Sequence, residues 1–172
     1  MEPLDILIAK DAIRDLAGAY SMAVDDHDIE SVLEMYAPDA TFTIAGKTLT
    51  GHEELRAFYV DSMDRYTTML HTPEIHLITL DDPRHAAGRM TGHAELAVRD
   101  TLMMSAFRYT DRYVMTDRWR FQHRRVRFMY AVPFEAMGAS FRTDQRIRWP
   151  QTRYAGADYP ESAPTWSTYR DR

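Results

Sequence analysis

The chain has no cysteine, which removes disulfides, thiol nucleophiles and thiolate-bound zinc together. It has only two lysines, Lys10 and Lys47, among 21 basic residues, and the acidic side chains outnumber the basic ones to give a net charge of −5. Binding nucleic acid without sequence preference needs a surplus of positive surface, so that class is set aside. No apolar run approaches the roughly 20 residues of a membrane span. The opening MEPLDILIAKDAIRDL turns acidic at once and lacks the basic and apolar regions of a secretory signal. A cytoplasmic protein is expected, with neither nucleic acid nor membrane as partner. Also missing are GxGxxG, GxxxxGK[ST] and GxSxG, so dinucleotide, P-loop and serine-hydrolase readings have no motif to stand on.

At 172 residues the chain suits one core with room for a pocket. From Leu4 to Val24 the residues Ile6, Ala9, Ile13, Leu16, Tyr20 and Ala23 recur at steps of three and four, the stripe of an amphipathic helix. It runs into DDHD, where Asp28 or a neighbour caps a second short helix, DIESVLEMY, that Pro38 stops. Thr41 to Ala45 alternates and ends at Gly46, a strand and tight turn into KTLTG. Gly51 to Tyr66 carries Leu55, Phe58, Tyr59 and Met63 at helical spacing, with Glu53 and Glu54 suiting the helix dipole.

Thereafter Thr67–Leu80, Ala86–Val98, Leu102–Thr116 and Trp119–Val132 are rich in aromatic, Thr, Val and Ile residues and are separated by DDPRH, RD and TD. Three helices followed by four long strands predict an α+β fold, a cone-shaped α+β barrel with the helices on a strongly curved antiparallel sheet. The expected division is residues 1–132 as this domain and 133–172 as an extension. In the extension a short helix at Phe134–Met137 precedes irregular chain carrying Trp149, Pro150, Pro160, Pro164 and Trp166, on the surface or across a neighbouring subunit.

Seven histidines are present. His27, His52 and His85 fall in turns or helix starts and read as solvent-exposed, whereas His71, His76, His93 and His123 fall on strands. Alternation sends His71 and His76 to opposite faces unless a bulge intervenes. No His has the HExxH or close carboxylate spacing of a metal site, and none is expected. What remains is a general acid or base made from His and a carboxylate, in which the carboxylate fixes the tautomer and raises the basicity of the far nitrogen. Each strand His is equally accounted for as a satisfied core or interface residue.

The segments AIRDLAGAYSMAVDDHDIESVLEMYAPDATFTIAG and RWRFQHRRVRFMYAVP, with the order of elements, resemble the SnoaL-like branch of the nuclear transport factor 2-like superfamily over roughly Leu4 to Val132. More narrowly, they are similar to the group containing scytalone dehydratase, hexachlorocyclohexane dehydrochlorinase and bile-acid 7α-dehydratase. The resemblance implies that Asp25 in AVDD orients His71 in MLHTPEIHL, and that His71 abstracts a carbon-bound proton during an elimination. It further implies a substrate-side role for Tyr20, a second assisting His at His93, and an Arg near the leaving group at Arg124, with Arg125 as fallback after a one-residue slip. Glu74-Ile75 departs from the Thr-Asn pair of the dehydrochlorinase pattern.

The expected function is thus a lyase, a dehydratase or related enzyme, that uses no cofactor. Its pocket would be lined by Phe42, Tyr59, Met103, Phe107, Tyr109, Phe128 and Tyr130, suiting a bulky apolar, aromatic or steroid-like small molecule. Core packing accounts for each of these aromatics as well. Two other classes stay open: a non-catalytic binding or assembly module, and an epoxide hydrolase or isomerase of the same fold. Likeness to the dehydratases implies a homo-oligomer, a trimer before a dimer.

Overall fold

Three helices come first. A computed structural model describes residues 1–142, 145–146 and 155–171. Helix α1 spans Pro3–Asp25, with Pro at its first position and the Asp5 carboxylate accepting the Glu2 N–H at 3.2 Å. Its apolar stripe buries Ala9, Ile13, Ala17, Tyr20, Ala23 and Val24; full burial of Ile13 alone contributes roughly 1.5–3 kcal/mol. Asp28 caps α2 (Ile29–Glu34) by accepting the Ser31 N–H at 3.0 Å. Helix α3 spans Gly51–Arg65 and buries Leu55, Tyr59 and Met63.

Six strands form one sheet: β1 Tyr36–Ile44, β2 Lys47–Thr50, β3 Thr68–Asp82, β4 His85–Val98, β5 Thr101–Met115 and β6 Trp119–Pro133. Ala45 and Gly46, both at positive φ, make the tight β1–β2 hairpin. The order is β2-β1-β6-β5-β4-β3, which leaves β2 and β3 as edges and the curved sheet open. Neighbours pair antiparallel except β1 and β6, which run parallel, so the sheet is mixed. β1 starts at Tyr36, ahead of Pro38, and lies beside the last long strand. α1 runs against β3 and touches β6, and α3 packs on β1, closing the concave face.

Bulges decide which residues face inward. In β3 the register slips between Pro73 and His76, and a bulge reverses the alternation beyond it. His71 and His76 therefore share the inner face, opposite Ala94 and Met90, while Leu70, Ile75 and Leu77 are exposed. In β6 the register slips at Met129, between the Phe107–Phe128 and Ala106–Tyr130 pairs. Phe128 joins the main core and Tyr130 turns to the outer face, in a small cluster with Ala106 and Val132.

After β6 come a 3₁₀ turn, Phe134–Ala136, and α4, Met137–Ser140, where a short helix is predicted. Gln145–Arg146 (β7) pairs with Ala155–Gly156 (β8). The Asp158 N–H donates to the Phe128 carbonyl and the Asp158 carboxylate accepts the Phe128 N–H, each at 2.9 Å, on the stretch of β6 that β1 does not reach. The tail is not irregular throughout: Pro164, at a first helical position, opens α5 (Pro164–Arg170), which contains Trp166. Trp149 and Pro150 lie outside the described residues.

Candidate active site

The concave face holds an open-mouthed cavity of ≈ 130 Å³. His71 stands in its wall, held by the last residue of α1. Its Nδ1 lies 2.6 Å from Asp25 Oδ1, and its backbone N–H donates to Asp25 Oδ2 at 2.8 Å. Both carboxylate oxygens are thus committed to one residue of an edge strand, whose N–H would otherwise face no ladder partner. A carboxylate in the last turn of a helix opposes the helix dipole; its two bonds to His71 offset that cost. The two side chains are 15 and 16 % exposed, so the pair is largely withdrawn from water without being sealed. With Nδ1–H donating to Asp25, Nε2 is left as the free basic nitrogen.

The walls are apolar and aromatic. Phe42, Tyr59, Phe107, Tyr109 and Phe128 line the cavity, and so does Tyr20. The Phe107 ring centroid is 6.1 Å from that of His71. Gly92 makes this placement workable, because a Cβ there would meet the Phe107 ring at 2.7 Å and the Thr72 carbonyl at 2.9 Å. The Tyr20 and Tyr59 hydroxyls are 2.7 Å apart, and those of Tyr59 and Tyr36 are 2.9 Å apart. Burial pushes all three phenols up, Tyr36 to about 12, which keeps them protonated as hydrogen-bond donors.

Asp25 meets the cavity only through His71, and four further sequence-predicted site residues do not line it. His93 is exposed on the outer face, where its Nδ1 lies 2.9 Å from Glu74 Oε1. Alternation puts its neighbour Ala94 inward instead. Glu74 and Ile75 sit in the β3 bulge and also face outward. Met103 is fully buried in the core, outside the cavity lining. Tyr130 is turned outward by the β6 bulge. Arg124 does face inward, and Arg125 is exposed, but Arg124 lies behind the wall. Its guanidinium is 4.3 Å from the Tyr20 ring centroid, 3.9 Å from that of Tyr109 and 4.0 Å from that of Phe121.

Arg124 is bonded twice to Asp111, Nε to Oδ1 at 3.1 Å and Nη2 to Oδ2 at 3.0 Å. Burial acts against its charge, and the Asp111 carboxylate together with Tyr36 and Tyr109 more than offsets this, holding Arg124 above the ordinary guanidinium range. The network continues outward: Tyr113 donates to Asp111 at 2.9 Å and lies 3.0 Å from His76 Nε2. Burial pushes the His76 ring down to about 4. This is a buried scaffold beneath Tyr20 and Tyr109.

Of the α3 wall the sequence reading named only Tyr59 and missed Phe58, Met63 and Tyr66 just past the helix end, and it also missed Ala94 and Ser105. Ser105 was within reach, since it alternates with Phe107 and Tyr109. The α3 wall carried no signal beyond its helical stripe.

A family model described as a SnoaL-like domain matches residues 5–125. No curated protein matches the sequence. Among solved structures, a candidate scytalone dehydratase from Novosphingobium aromaticivorans superposes with a TM-score of 0.76 at 14% identity, over 93% of this chain and 100% of that one. The hexachlorocyclohexane dehydrochlorinase LinA-type3 from Novosphingobium barchaimii gives 0.72 at 20% identity, over 79% and 97%. A protein of unknown function from Mycobacterium tuberculosis gives 0.68 at 24% identity, over 74% and 76%. At these identities the structural likeness is one of fold. The match over residues 5–125, on an α+β fold with a helix-lined cavity, places the chain in the SnoaL-like domain family.

Proposed function

We propose that the chain is a lyase that eliminates a small group from a ring compound by removing a carbon-bound proton, with His71 as base. The observation that carries this reading is the two-point hold of Asp25 on His71 inside an apolar cavity. Asp25 keeps Nδ1 protonated, so Nε2 of the neutral imidazole accepts the proton from a carbon next to an aromatic or electron-withdrawing group. The electron pair left on that carbon expels the group on its neighbour. Tyr20, kept protonated and bonded to Tyr59, donates a hydrogen bond to the departing atom. The reaction so drawn calls on no cofactor. Its substrate is a bulky apolar or aromatic small molecule, matched to the walls.

The dehydratase and dehydrochlorinase names of the similar structures support an elimination. The epoxide-hydrolase alternative needs a water-activating carboxylate at the substrate, and Asp111, the carboxylate paired with Arg124, is buried outside the cavity lining. The test is a screen of hydroxylated and halogenated aromatic and steroid-like compounds by mass, seeking loss of water or halide with wild type and none with His71→Ala. Ligands that bind and come back unchanged support a non-catalytic module instead.

A further inference from the structure

Of the buried polar atoms without a hydrogen-bond partner among the described residues, Ser105 Oγ is the one whose residue lines this cavity. Ser105 is 1 % exposed. Its cross-strand neighbours are Ala94 on β4 and Ala131 on β6, neither of which offers a side-chain partner. A buried hydroxyl left unpaired is costly, and folded chains rarely keep one without a use.

Register gives the use a direction. His71 pairs with Ala94, and Ala94 pairs with Ser105, so the three stand in one row across adjacent strands. All three line the cavity. Strand spacing sets the His71 and Ser105 backbones roughly 9–10 Å apart, and the small Ala94 between them leaves a trough. A ring lying in that trough presents one edge to the imidazole and the opposite edge to the hydroxyl. Among the hydroxyls of the wall, that of Tyr59 is already held between Tyr20 and Tyr36.

We infer that Ser105 is the specificity-determining residue of the cavity, and that it selects ring compounds carrying a hydroxyl or keto oxygen across the ring from the carbon facing His71. Bare and halogenated hydrocarbons leave the hydroxyl unpaired and are disfavoured. This deepens the elimination reading and rests on it for the identity of the reacting carbon, whereas the hydrogen bond is testable without turnover.

The experiment measures calorimetric binding of 2-naphthol and naphthalene, a pair differing by one oxygen, to wild type, Ser105→Ala, Ser105→Thr and His71→Ala, each shown to be folded by circular dichroism. Wild type is expected to prefer 2-naphthol. Ser105→Ala lowers that preference about three- to tenfold through the 2-naphthol affinity alone, Ser105→Thr retains it, and His71→Ala retains it because the hydroxyl is untouched. Wild type without a preference, including wild type that binds neither probe, overturns the inference, as does Ser105→Ala with the preference intact. Retained preference in a protein that turns over no compound separates failure of the lyase reading from failure of this one.

Discussion

Asp25 grips His71 at two points, accepting from the backbone N–H at 2.8 Å through one oxygen and meeting ring Nδ1 at 2.6 Å through the other. One carboxylate thereby fixes the position of the strand and the tautomer of its imidazole.

Asp25→Asn tests that double role. The amide oxygen takes one of the two donors, and the amide nitrogen then confronts the other. If the oxygen keeps the backbone N–H, Nδ1 becomes the acceptor and Nε2 carries the proton, so the base is lost. Turnover is expected to fall about 10³- to 10⁴-fold with ligand affinity nearly unchanged, read as kcat against KM on the substrate found by screening. A rate within a few-fold of wild type contradicts the tautomer argument.

The Asp111–Arg124 pair carries a stability prediction. Both side chains are fully buried, so Asp111→Ala leaves an uncompensated cation beneath Tyr20 and Tyr109. Urea unfolding should show a loss of about 3–5 kcal/mol. Replacing both, Asp111→Leu with Arg124→Met, should recover much of it; a double variant as unstable as the single one denies the burial account.

His76 sets a pH dependence. Burial lowers its folded pKa to about 4, below the roughly 6.5 of an unfolded histidine. As pH falls from 6.5 toward 4 the unfolded chain binds this proton first, so stability drops through that window and the loss is complete below the folded value. The contribution is on the order of 1–2 kcal/mol once screening at a part-exposed ring is allowed for. It is read as the difference in unfolding free energy between wild type and His76→Gln from pH 7 to pH 4. Parallel profiles remove His76 as the cause.

Self-association through β3 is the next expectation. Its outer face exposes Leu70, Ile75 and Leu77 at a sheet edge that no further strand pairs among the described residues, the kind of strand that folded proteins cover or pair. Light scattering at micromolar concentration should give an oligomeric mass, a trimer before a dimer, and Leu70→Lys with Leu77→Lys should shift it downward. A wild-type monomer contradicts this.

The regular elements were legible because their signals are local: the α1 stripe, the Asp28 cap, the Ala45-Gly46 turn and the alternation of the long strands. The parallel lie of β1 on β6 was not, since it joins segments about 80 residues apart without a local pattern. Bulges account for two of the facing errors. One extra residue at Met129 moves Tyr130 outward, and the slip between Pro73 and His76 brings His76 inward. His93 failed for a simpler reason: the resemblance pointed one residue short of Ala94, the position that faces the cavity.

Proton removal by His71 is tested most directly by isotope uptake. A compound that loses water or halide in the screen is incubated in D₂O with wild type and with His71→Ala, and recovered substrate and product are followed by mass and by proton NMR at the reacting carbon. Elimination with wild type, and neither elimination nor deuterium uptake at that carbon with His71→Ala in a protein whose circular dichroism matches wild type, is the predicted result. Elimination by His71→Ala at the wild-type rate would contradict it.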